Sequence, residues 1–202
     1  MLNTKSRPEV YNMNTGRYKT PDGKVLEIVQ DCFPESPRED TNTSIFCFFH
    51  NRYDLPQELE GLKTSDFDGW EAMKEHLQQE HKPLFLAPVS MTDHTNVWLE
   101  IGELSGFDSG QVWFVMITAD SLAETHGDQE ATLLGLSEDK DVLLQAIAEE
   151  ELDTYNKYLA GNVYGYRIYD ANDEEIDSCW WYYETGDILD ATGYNFEDLE
   201  EK

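Results

Sequence analysis

The chain has 202 residues, and 42 Asp and Glu against 14 Lys and Arg give it a formal net charge of −28. Binding DNA, RNA or anionic lipid depends on Lys and Arg displacing counterions, so a chain this negative is not expected to bind them directly. With 40% apolar and 12% aromatic residues it can build a core, which argues against wholesale disorder.

The length suits one domain with short appendages. A soluble domain of this size needs a net charge of magnitude about 2–8, so the surplus is read as a feature of the surface that a partner meets. No apolar run approaches the ~20 residues that span a bilayer. Lys5 and Arg7 are not followed by an apolar stretch, so no secretory signal is expected. Cys32, Cys47 and Cys179 form no C-x-x-C pair and suit a reduced compartment. A cytoplasmic protein without membrane contact is expected.

Residues 1–22 are polar, contain Pro8, Gly16 and Pro21, and read as an N-terminal arm or edge element. Residues 24–30 alternate like a strand, and 34–42 form a loop rich in turn formers. The apolar run 44–50 suits a central buried strand. Ser65 or Asp66 is placed to cap a helix carrying Phe67, Trp70, Met73 and Leu77, with Pro83 beyond its end. Residues 84–89 and 97–101 read as strands around a loop over 90–96. Residues 111–118 are the strongest strand in the chain, entered through a turn over 106–110.

The longest predicted helix covers residues 138–160, capped by Ser137 and ended by Gly161. Leu144, Ile147, Ala148, Leu152, Tyr155 and Leu159 share one side, and Glu149, Glu150 and Asp153 the other. Glu151 falls inside the apolar arc. It either reaches water at the boundary of the stripe, forms a buried ion pair, with Arg167 as one partner, or is functional. Residues 163–170 and 176–183 flank a polar turn and read as a hairpin. Residues 184–202 are an acidic tail with Ile188, Leu189, Phe196 and Leu199 as anchors. The expectation is an α+β fold, a mainly antiparallel sheet with two helices packed on it. Residues 23–183 form its single domain.

Phosphate-cradling and nucleophile-elbow motifs are absent. His76 and His81 are five apart and point to different faces of their helix. Asp93-His94 lies in a loop, the one place where a small metal-dependent enzyme or metal-binding protein could hold a site. Asp170, Asp173, Glu174, Glu175 and Asp177 miss the EF-hand order and read as a charged hairpin tip. Cys179 sits among acids that would raise its pKa, so it reads as a buried structural thiol. No catalytic residue, metal or cofactor is assigned.

The charge is uneven along the chain: residues 1–101 carry a net of −7 and residues 102–202 a net of −21. Carboxylates four apart on a helix repeat every ~6 Å and alternate strand residues every ~6.6 Å, so rows of them approach the spacing of a nucleic-acid backbone. The carriers are Glu149, Glu150 and Asp153 on the helix, Asp173, Glu174, Glu175 and Asp177 on the hairpin, and Asp187, Asp190, Glu197 and Asp198 on the tail. The alternative origin of such acidity is adaptation to brine, where salt screens the repulsion.

Four stretches carry a resemblance: Asp108-Ser109-Gly110-Gln111-Val112, Tyr155-Asn156-Lys157-Tyr158-Leu159, Val163-Tyr164-Gly165-Tyr166 and Asp177-Ser178-Cys179-Trp180. In order and spacing, over about residues 84–183, they resemble an uncharacterised family of acidic proteins encoded by bacteriophages and conjugative elements. The chain departs from that family's usual glycines at Trp113 and Trp181. The resemblance implies a mobile-element protein acting inside a bacterial host and supplies no catalytic residues. The expected function is that of a DNA mimic, not an enzyme, inhibiting a basic DNA-binding host protein or nuclease in the anti-restriction or anti-CRISPR manner. A third reading is an acidic homo-oligomer, such as a homodimer, joined through Tyr164, Tyr166, Trp180 and Tyr182.

Overall fold

The computed structural model describes residues 13–48, 59, 61–93, 97–102, 109–127 and 139–202. Its strands are β1 (Gly16–Lys19), β2 (Val25–Gln30), β3 (Ile45–Phe48), β4 (Phe85–Asp93), β5 (Val97–Ile101), β6 (Ser109–Ile117), β7 (Tyr164–Tyr169), β8 (Glu175–Tyr182) and β9 (Glu200–Glu201). Its α-helices are α1 (Trp70–His81), α2 (Ala119–His126), α3 (Lys140–Leu159) and α4 (Thr185–Thr192). The fold is α+β with two antiparallel sheets, and it has four described helices where two were expected. Two compact units result, one from residues 36–160 and one from residues 1–35 with 161–202.

In the middle unit the sheet order is β3-β6-β4-β5. Successive residues of a strand face opposite sides, so Trp113, Val115 and Ile117 of β6 point one way and Phe114 and Met116 the other. The first set packs with Phe46 against Leu144, Ala148, Leu152 and Tyr155 of α3, in the apolar arc expected for that helix. The second set packs with Cys47 against Met73 and Leu77 of α1. Covering both faces makes β6 an almost continuous apolar run. The same cover explains β3, which lies at the sheet edge and not at its centre.

Several boundaries differ from expectation. Residues 90–93 extend β4 instead of forming a loop. Ser65 and Asp66 belong to a short 3₁₀ turn, and α1 begins after Gly69, whose φ of 91° suits glycine. Asp139 caps α3 by accepting from the Val142 N–H, while Ser137 lies outside the described residues, as do residues 106–108 of the expected turn. Helix α2 was not expected; it starts from a reciprocal cap between Thr118 and Ser121.

Strand β5 forms the other edge, and α3 closes it. The Asn156 amide accepts from Leu99 N–H at 3.0 Å and donates to Leu99 C=O at 2.8 Å, taking the place of a neighbouring strand. Both residues are buried.

In the terminal unit the sheet order is β8-β7-β2-β1-β9. One face carries Tyr18, Leu26, Ile28, Tyr166 and Ile168, which pack with Met13 and with Ile188 and Leu189 of α4. The segment 184–202, read as a tail, thus supplies a core-covering helix and a strand. Part of the segment 1–22, read as an arm, supplies β1, which lies between β2 and β9. On the other face Arg17 stands opposite Glu27, and Glu27 opposite Arg167.

The β7–β8 pairing shifts register twice. At one shift Trp180 lies against Gly165, where any Cβ would overlap the indole, and Trp181 takes a φ of 72°, a conformation in which a side chain is strained. Cys179 is exposed, not buried, because β8 is an edge strand. No described helix is long and apolar enough to cross a membrane.

Two outcomes follow. Replacing Asn156 with Ala leaves both Leu99 backbone groups without their partner, and urea unfolding should show a loss of about 2–4 kcal/mol. In the β1–β2 turn, Lys24 at 2.6 Å and the Thr20 hydroxyl at 2.5 Å hold the Asp22 carboxyl down to about 2. Its folded value is depressed, so its stabilisation is full above the ordinary carboxylate range near pH ~4 and disappears as pH falls through about 2. The stability gap between wild type and Asp22→Asn should close over that window, and an NMR titration of Asp22 should report the low value directly.

Candidate functional site

In the middle unit the Glu151 side chain gathers four hydrogen-bond donors. Its carboxylate accepts from Thr43 N–H at 2.8 Å, from Ser44 N–H at 3.0 Å and from the Ser44 hydroxyl. Arg38 Nη1 lies 3.2 Å from it, and Arg38 Nη2 donates to Ser44 C=O at 2.5 Å. The guanidinium also stacks on Phe46, 3.9 Å from the ring centroid. Arg38 is almost fully buried, with 2% of its side chain exposed, and Glu151 keeps 19%. Of the three sequence readings for Glu151, the buried ion pair is observed, with Arg38 and not Arg167 as its partner.

The arrangement pins the loop before β3 onto α3. Asn42 reinforces the loop by donating to Pro37 C=O and Asp40 C=O. Beside it lies a cavity of about 330 Å³ whose polar lining includes His126, Glu150 and Thr154. The Thr43 hydroxyl, in the same lining, is 3.1 Å from His126 Nε2, a contact that joins the loop to α2. Glu151 has its oxygens committed to four donors and is a structural anchor.

The predicted carboxylates divide between the units. Glu149, Glu150 and Asp153 lie exposed on α3, with Glu149 accepting from Gln145 at 2.7 Å and Asp153 paired with Lys157 at 2.9 Å. The hairpin acids are less free than their number suggests. Asp173 pairs with Arg17 at 3.1 Å, Glu175 lies 3.7 Å from Arg167, and Asp177 accepts from the Tyr166 hydroxyl at 3.0 Å. Glu174 is exposed. Asp187 sits in the first turn of α4, where the helix dipole favours an acid, and Asp190 is exposed further along. Glu197 and Asp198 lie exposed in a 3₁₀ turn, Asp198 accepting from Asn195 at 3.0 Å. No described cation lies within 4 Å of Glu149, Glu150, Glu174, Asp190 or Glu197.

Asp93 ends β4, and its expected companion His94 lies outside the described residues. Among the described residues no three or more His, Cys, Asp and Glu converge in a metal-holding group. The hairpin aromatics are used within their own unit: Tyr166 is core, Tyr164 and Tyr182 pack against it, and Trp180 lies on Gly165 under Arg167. Burial pushes the Tyr166 and Tyr182 hydroxyls up.

Sequence reading missed a groove of about 240 Å³ beside the β5 edge, where Trp98 and Glu100 line a wall with Glu149 and Asp153 of α3. Its only sequence signal is a Trp and a Glu alternating on a strand. Comparison of the chain with protein-family models, curated proteins and solved structures finds no match.

Removing one partner of a buried pair leaves the other charge uncompensated. Arg38→Met should therefore destabilise the protein by about 3–5 kcal/mol in urea. The double variant Arg38→Met/Glu151→Leu should lose less than the two single losses added together, which a double-mutant cycle reads.

Proposed function

We propose that the protein acts by binding and not by catalysis, as a DNA mimic whose carboxylates occupy the nucleic-acid site of a basic, DNA-handling host protein. The exposed carboxylates of α3 carry this reading. Glu149 and Asp153 are four apart on one helix face, ~6 Å along the axis, Asp153 shared with Lys157, and Glu150 lies exposed on the adjoining side of the helix. Asp190 and Glu197 present further cation-free acids in the terminal unit. Asp173 and Glu175, matched by Arg17 and Arg167, contribute less to this surface than expected from sequence.

A field of this sign speeds encounter with a positive groove and repels nucleic acid itself. The resemblance to acidic proteins of bacteriophages and conjugative elements supplies the setting, a mobile-element accessory protein in the cytoplasm of a host bacterium, with a restriction or CRISPR nuclease as target. No cofactor or metal enters the reading.

The test is capture from bacterial lysate on the immobilised protein, eluted with duplex DNA. DNA-handling proteins should be displaced by the duplex, and retention should fall by roughly tenfold between 50 and 200 mM salt. The variant Glu149→Gln/Glu150→Gln/Asp153→Asn should retain less at every salt concentration. Captured proteins that ignore both salt and duplex would overturn the proposal.

A further inference from the structure

All three described arginines are received in the same way. Arg17 lies over Tyr169, 4.7 Å from the ring centroid, and against Asp173 and Glu27. Arg38 lies over Phe46 and against Glu151. Arg167 lies over Trp180 at 5.4 Å and against Glu175. An aromatic face takes the flat guanidinium while a carboxylate takes its N–H edge, a pairing that a compact ammonium fits less well.

The groove beside β5 repeats the ingredients with no arginine in place; of its carboxylates, Asp153 is shared with Lys157 at 2.9 Å, and Glu100 and Glu149 have no described cation within 4 Å. Trp98 is 43% exposed, and no described cation lies over its ring. Glu100, Glu149 and Asp153 line the same groove, and Asn156 fixes its floor by holding the β5 edge to α3. We infer that this groove receives an arginine side chain from the surface of a partner protein, the guanidinium stacking on Trp98 and bonding to the carboxylates around it. The inference rests on the binding reading above and adds to it a specific residue class on the partner.

A second copy of the chain is a poor occupant. The unit carrying the groove has a net charge of −18 and the other unit −10, so copies repel, and the three described arginines are already held inside their own units. An arginine-bearing, positively charged surface has the complementary sign and the complementary shape.

Calorimetric titration with hexa-arginine and hexalysine tests the assignment on the full chain. Wild type should bind hexa-arginine more tightly than hexalysine. Trp98→Leu should weaken hexa-arginine binding by roughly 3- to 30-fold and remove the preference, while hexalysine binding and the melting temperature stay near wild type. Trp98→Phe, which keeps an aromatic face, should fall between the two. If Trp98→Leu and Trp98→Phe both keep the wild-type affinity and preference, the groove is not an arginine site, and the polyanion reading stands without it. If wild type binds neither peptide, the polyanion reading itself is overturned.

Discussion

With 42 carboxylates against 14 lysines and arginines, the fold depends on which carboxylates receive a cation and which are left to water. The described arginines settle the first group. Arg38 joins the loop before β3 to α3 through Glu151, and Arg17 and Arg167 hold the outer face of the terminal sheet through Glu27, Asp173 and Glu175. In each case an aromatic ring lies beneath the guanidinium, so the cation contributes packing as well as charge. Lysines take Asp22 and Asp153, while Glu149, Glu150, Glu174, Asp190 and Glu197 have no described cation within 4 Å.

A protein built largely of sheet must also manage its strand edges, which otherwise pair with other chains. Three devices appear. At β5 the Asn156 amide occupies the Leu99 backbone groups. At β8 two register shifts bend the strand, and Glu175 and Asp177 place charge along it. At β9 the strand is only two residues long, both of them Glu. The acidity thus keeps the edges apart, a structural effect independent of any partner.

Much of the local structure was legible because it is periodic. The apolar stripe of α3, the run of β6 and the β7–β8 hairpin each follow from side-chain spacing alone. What was not legible depends on partners distant in sequence. Glu151 stood out as an acid in an apolar arc, but Arg38 is 113 residues away in a segment read as a turn-rich loop. The edge position of β3 is hidden because helices covering both faces give an edge strand the composition of a central one. Cys179 read as a buried structural thiol because of the acids around it, yet on the edge strand β8 it is exposed. Ile188 and Leu189 were visible as anchors; the helix joining them is too short to announce itself by periodicity. The Trp98 groove lies between a strand and a helix whose pairing no local pattern encodes.

The division into units changes how the charge argument must be made. The acidic half of the sequence is shared between them, 13 of its 25 carboxylates falling in the middle unit and 12 in the terminal one. The polyanion must therefore be judged face by face, not by chain half. A helix row with one carboxylate every ~6 Å carries only about a quarter of the charge density of duplex DNA, at one charge per ~1.7 Å. Charge alone then gives attraction and fast encounter but little discrimination among basic proteins. An indole placed beside the same carboxylates adds a contact that a phosphate backbone lacks, one that depends on where the partner carries its arginines. On the proposed account the carboxylates supply the field and Trp98 the selectivity.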